Sequence, residues 1–130
     1  MLMVVDTSAL AAILLGEPEE AAFATRIAEA DRSLLSAASY VEFGLLAGSH
    51  RGYRRPAVDE MLTGWGLEVV PVSHHQAKLA IEAFNQYGRG RHPARLNYGD
   101  CFAYALAKER GLALLFKGDD FARTDVLPAI

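Results

Sequence analysis

The sequence predicts an α/β fold: a single domain over residues 1–130, with a mostly parallel central sheet of four to five strands and helices on both faces. Three observations predict it. Short apolar runs of strand type alternate with longer stretches of helical periodicity. No hairpin signal joins two of those runs, so each return to the sheet passes through a helix, which is how parallel sheets are built. The length of 130 residues suits one core and is short for two.

The elements follow in order. "LMVVD" (2–6) is a short buried-type strand. "TSALAAILLG" (7–16) is a helix that Thr7 or Ser8 can cap and Gly16 closes. "EPEEAAFATRIAEA" (17–30) starts with Pro18 and three acids, the sign of an amphipathic helix N-terminus. "SLLSA" (33–37) is the second strand, and "SYVEFGLLAGSH" (39–50) and "AVDEMLTGW" (57–65) are helices around an arginine-rich loop. "LEVVPVS" (67–73) is the third strand, and its Pro71 marks a strand end or a sheet edge. "HHQAKLAIEAFNQYG" (74–88) is a helix ended by Gly88, and a polar loop then leads to the Ala-rich helix "YGDCFAYALAKERG" (98–111). "LALLFKG" (112–118) is the fourth strand.

Composition excludes several classes. Hydrophobic residues make up 52% of the chain, yet no apolar run approaches the roughly 18–20 residues of a membrane span, so a protein without a membrane is expected. The start lacks the basic segment and cleavage site of a signal peptide, and Cys101 is the only cysteine. Both point to a reducing cytoplasm. The net charge is −3, which alone would repel phosphates. Four acids considered below carry −4 of it, leaving the rest at +1, and arginines cluster in "HRGYRR" (50–55) and "GRGRHPAR" (88–95). Basic patches therefore survive the acidic total, although solvated loop charges would give the same pattern.

In an open parallel sheet the ligand crevice lies at the carboxyl ends of the strands. Asp6 ends the first strand and Asp119 the fourth, while Glu42 and Asp100 fall in the first turns of following helices. All four carboxylates can then meet at one edge. Two unit charges about 4 Å apart repel by ~4 kcal/mol at an effective dielectric near 20, so such a cluster needs protons or a cation. Hard oxygen ligands in this number suit Mg²⁺ or Mn²⁺, ions that activate water and stabilise phosphoryl displacement. Each acid also has a plainer reading. Ser39 and Glu42 have capping-box spacing, Asp100 suits a helix N-terminus, Asp119 can cap "DFART", and Asp6 can cap the helix after it.

"VVDTSAL", "SAASYVEFG", "LNYGDCFAYALA" and "LLFKGDDFARTDV" together resemble the successive signatures of PIN-domain ribonucleases, in particular VapC-like toxins, over essentially the whole chain. The resemblance implies a PIN-like fold and a Mg²⁺- or Mn²⁺-dependent endoribonuclease, restrained by a cognate antitoxin and commonly homodimeric. It assigns catalysis and metal binding to Asp6, Glu42, Asp100 and Asp119, with Thr7 or Ser8 as the hydroxyl beside the first acid and Lys117 beside the last. Asp120 and Asp125 take supporting places. Arg89, Arg91 and Arg95 are the expected RNA-binding residues, since an acidic crevice needs cations nearby to hold phosphates.

Other readings fit less well. A receiver domain needs paired acids after its first strand and an Asp ending its third, but Thr7 and Ser8 follow Asp6 and "VVPVS" holds no acid. An aspartyl-nucleophile phosphatase needs an Asp where Ser8 stands. A protein-interaction domain, with all four acids as caps, is the plainest rival. Cys101, Trp65, Phe43, Phe84 and Tyr104 are expected in the core, and the four histidines lack a metal-ligand spacing. The apolar faces of 41–47 and 58–65 offer a groove for an antitoxin helix or a dimer contact, or ordinary core packing.

Overall fold

Period-two alternation along the strands decides which core each side chain enters. In the computed structural model, which describes all 130 residues, Met3 and Val5 of β1 (Leu2–Val5), Leu35 of β2 (Arg32–Ser36) and Leu115 of β4 (Ala113–Leu115) enter one core. Val4, Leu34 and Leu114 enter the other. β3 (Leu67–Val70) completes a sheet ordered β3-β2-β1-β4, in which all three pairings are parallel.

The chain steps outward from β1 to β3 over α1 (Thr7–Leu14), α2 (Glu20–Glu29), α3 (Ala37–Arg51) and α4 (Arg55–Gly64). Leu10, Phe23, Phe43, Val58 and Leu62 from these helices fill the first core. It returns to β4 over α5 (His74–Tyr87) and α6 (Tyr98–Arg110), whose Ala80, Ala83, Ala103 and Leu106 fill the second. Alanines on facing positions let α5 and α6 pack closely. The strand order reverses between β1 and β4, and at such a switch point a crevice opens beyond the carboxyl ends. Asp6 and residues 117–120 flank that crevice.

Several expected boundaries move for local reasons. The second strand ends, and the helix after it begins, earlier than expected because Ser36, not Ser39, caps α3: its hydroxyl accepts from the Ala38 N–H at 3.2 Å. β4 stops at Leu115 because the Lys117 N–H leaves the ladder for Ser8 Oγ (3.0 Å) and Gly118 turns the chain with φ +97°. No fifth strand forms. The tail makes one parallel bridge instead, with Leu114 N–H donating to Leu127 O and Ala129 N–H to Leu114 O. Phe43, Ala47, Val58 and Leu62 are consumed by the core, so the groove expected along 41–47 and 58–65 is filled by the protein itself and only Val41 and Leu45 of α3 are left exposed there. No helix is long and apolar enough to cross a membrane.

Leu114 lies fully buried in the α5–α6 core, whereas Leu45 is 71% exposed. Leu114→Ala is expected to lower stability by about 3 kcal/mol and Leu45→Ala by less than about 0.5 kcal/mol, as read from urea unfolding.

Candidate active site

Asp6 is still extended (φ −86°, ψ 155°) as it leaves β1, and it caps α1. Its N–H donates to Leu115 O at 2.9 Å, and its Oδ2 accepts from the Ser8 N–H at 3.0 Å. Of the caps the sequence offered, Asp6 takes the place and Thr7 and Ser8 do not, which frees both hydroxyls. Thr7 Oγ1 reaches Glu42 Oε1 at 3.1 Å and Ser39 O at 3.3 Å, and Ser8 Oγ accepts from Lys117. Asp6 is only 3% exposed. Burial pushes its carboxyl up to about 6 against the opposing hydrogen bonds from Ser8, and the Glu42 charge pushes the same way.

Glu42 lies in the second turn of α3, facing Thr7. The capping box with Ser39 does not exist, since Ser39 is already inside the helix and buried. Burial raises the Glu42 carboxyl, the Thr7 hydroxyl lowers it, and Asp100 raises it. Asp100 does form a capping box: Asp100 N–H donates to Asn97 Oδ1 and Asn97 N–H to Asp100 Oδ2, both at 2.9 Å. Its carboxyl is pushed up to about 6, first by burial and then by the charges of Asp6 and Asp120, with Arg89 opposing. Capping and convergence are therefore not alternatives. Asp6 and Asp100 do both, and each feels the charge of another acid in the set.

The segment after β4 departs further from expectation. Asp119 is exposed and makes no hydrogen bond or ion pair. Asp120, also exposed, is the residue of this turn whose charge bears on Asp100, and it precedes the short 3₁₀ turn Phe121–Arg123 without a side-chain capping bond. Lys117 turns toward the segment that leads into α2, where Nζ pairs with Glu17 (3.1 Å) and Glu19 (3.3 Å). Its ammonium is thereby committed to the protein's own acids. Asp125 accepts from Tyr104 Oη at 2.5 Å and Lys108 Nζ at 3.0 Å, so it ties the C-terminal segment to α6. Asn97 is absent from the expected site residues, and its spacing of three before Asp100 is the signal that would have found it.

The basic loop is ordered by its own backbone. Arg89 N–H donates to Leu96 O and Leu96 N–H to Tyr87 O, with Arg95 held at φ +57°. Arg89, Arg91 and Arg95 are exposed, and Arg91 lies over the Phe84 ring at 5.7 Å. Cys101 is buried, and its thiol donates to Asn97 O, as a small core residue does. His92 Nδ1 accepts from Ala94 N–H, a structural task.

Asp6, Glu42 and Asp100 bring only carboxylate oxygens, a chemistry that would fit a hard cation. No three His, Cys, Asp or Glu side chains form a ready-made cage. A divalent cation that binds through one or two carboxylates and keeps several waters would fit such a place. The raised carboxyl of Asp6 makes a separate statement about stability. The folded form binds a proton more tightly than the unfolded chain, so its contribution is full below about pH 4 and is lost as pH rises through about 6. Asp6→Asn, which keeps an oxygen for the Ser8 N–H, is expected to raise metal-free stability at pH 7 by roughly 1–3 kcal/mol. That gain should vanish below about pH 4 in thermal melts across pH.

Comparison with known proteins agrees with this architecture. The PIN domain family model matches residues 3–127. Ribonuclease VapC28 of Mycobacterium tuberculosis is 48% identical over 130 residues, covering 98% of both chains. Among solved structures, M. tuberculosis VapC20, a sarcin-ricin loop cleaving toxin, superposes with a TM-score of 0.77 at 18% identity, covering 98% of this chain and 97% of that one. A toxin–antitoxin complex from Klebsiella pneumoniae gives 0.74 at 18% identity, covering 98% of both. At such identity the structures speak to the fold, while the sequence relatives speak to the family. The chain belongs to the PIN-domain family, among its VapC ribonucleases.

Proposed function

We propose that this protein is a Mg²⁺- or Mn²⁺-dependent endoribonuclease that hydrolyses RNA phosphodiester bonds and serves as the toxin of a toxin–antitoxin pair in the cytoplasm. The observation that carries the reading is the meeting of Asp6, Glu42 and Asp100, from three separate segments, at the carboxyl edge of the sheet, where the Glu42 charge acts on Asp6, that of Asp100 on Glu42 and that of Asp6 on Asp100. The kinship with ribonucleases supports it.

Asp6, Glu42 and Asp100 would hold the cation, with Asp119 and Asp120 on the loop beside them. The cation these residues would hold would supply neutralisation of the acids, an activated water and stabilisation of charge on the phosphate. The remaining work falls to the chain. The Ser8 N–H fixes the Asp6 carboxylate, Thr7 steadies Glu42, and Asn97 orients Asp100. Arg89, Arg91 and Arg95 hold the RNA backbone. An antitoxin is the natural partner, as a solved relative is itself a toxin–antitoxin complex. A second copy of the chain completes a homodimer, and exposed Val41, Leu45, Ile81 and Tyr98 offer apolar surface for these contacts.

Cleavage of end-labelled structured RNA with Mg²⁺, with Mn²⁺ and with EDTA tests the activity. Asp100→Asn preserves an oxygen for the Asn97 N–H, so it should fold normally and cut at least about 100-fold more slowly, with EDTA matching its effect on wild type. Activity retained by both would return these acids to the role of helix caps. A triple Arg89→Ala, Arg91→Ala, Arg95→Ala variant should bind RNA more weakly and lower the slope of log affinity against log salt by up to about 3. An unchanged slope would remove the loop from the RNA path.

A further inference from the structure

Position 99, in the first turn of α6, carries a glycine where nearly any other residue forms helix better. Its φ is not positive, so backbone conformation does not call for glycine. Space does. A Cβ built on Gly99 would lie 2.7 Å from Glu42 Oε1 and closer still to Cδ and Oε2, well inside the 3.0 Å that real Cβ atoms respect. The whole carboxylate of Glu42 rests against the backbone that this glycine leaves bare. At Gly44 and Gly64 nothing lies within 4 Å of the same point and at Gly48 the nearest atom is 3.4 Å away, so among the glycines inside helices only position 99 is crowded below 3.0 Å.

From the α1 side, Thr7 Oγ1 donates to Glu42 Oε1. The Glu42 carboxylate is thus wedged between the starts of α1 and α6, against the residue that precedes Asp100. It is also the free end of a flexible side chain. An added methyl at position 99 would displace that carboxylate before it disturbed the buried backbone around it.

We propose that Gly99 is a positioning residue, whose missing side chain forms the slot that holds the Glu42 carboxylate against Thr7 and beside Asp100. Its effect on the reaction rests on the nuclease reading given above. Its effect on the position of Glu42 does not.

The test compares Gly99→Ala with Gly44→Ala, Glu42→Asp and the double variant Glu42→Asp/Gly99→Ala. The readouts are crystal structures, thermal melts, Mn²⁺ titration of the metal-free protein and RNA cleavage. Gly99→Ala should melt at or above wild type, show Glu42 withdrawn from Thr7, bind Mn²⁺ at least tenfold more weakly and cut RNA at least tenfold more slowly. Gly44→Ala should leave affinity and rate within about twofold. Glu42→Asp shortens the side chain by one methylene and draws its carboxylate back from position 99. Adding Gly99→Ala to it should therefore cost less than about threefold more, the non-additivity of two groups in contact.

Glu42 still seated on Thr7 in the Gly99→Ala crystal, or losses that simply multiply in the double variant, would overturn the proposal. If Gly99→Ala failed to fold, folding of the double variant would uphold the clash with Glu42, and its failure would refute it. If wild type neither bound Mn²⁺ nor cut RNA, the nuclease reading would fall, and the place of Glu42 in the Gly99→Ala structure would still decide the role of Gly99.

Discussion

The parallel register between β1 and β4 is the constraint on which the site depends. Val5 pairs with Leu115, and the Asp6 N–H extends that ladder by one more bond to Leu115 O. A slip of one residue would turn Asp6 into a core and bring an apolar side chain to the crevice. The apolar alternation that fills two cores is therefore the same pattern that puts a carboxylate at the edge. Ser8 strengthens the arrangement from outside the sheet by accepting the Lys117 N–H, so the exits of both strands are tied together.

Around that edge, helix starts offset what burial of negative charge costs. Asp6 and Asp100 each sit at a helix N-terminus and accept a backbone N–H, which favours the charged form, while burial and neighbouring acids disfavour it. Burial is the larger effect at both. The site is therefore held partly out of balance, with an affinity for positive charge that the protein's own lysine does not satisfy, because Lys117 is occupied by Glu17 and Glu19.

Much of this was legible in the sequence, for physical reasons. Strand and helix periodicities revealed every helix and all four strands, because β1, β2 and β4 are buried on both faces and carry short continuous apolar runs. Topology alone put Asp6, Glu42, Asp100 and Asp119 at one edge; in the structure the charges of the first three act on one another, while Asp119 stands exposed. Side-chain choices were less readable. Ser36 and Ser39 are equally good caps on paper, and only tertiary packing, which buries Ser39, decides between them. Likewise the adjacent pair Asp119–Asp120 gives no hint of which carboxylate bears on Asp100, since that depends on the left-handed Gly118. The pairing of Lys117 could not be read from the sequence because its partners lie about a hundred residues away in the chain.

The C-terminal tail has a consequence for assembly. Leu127 and Ala129 engage both backbone groups of Leu114, and Asp125 pins the approach to Tyr104 and Lys108. The outer row of β4 is thereby partly closed by the chain itself. At the opposite side β3 offers a row only four residues long, ending before Pro71. Strand-to-strand addition, the usual route by which open sheets recruit foreign chains, has little backbone left to use. Whatever binds this protein has more to gain from its helices, and a sheet protected in this way stays a discrete unit from which larger complexes can be built without fusing edge to edge.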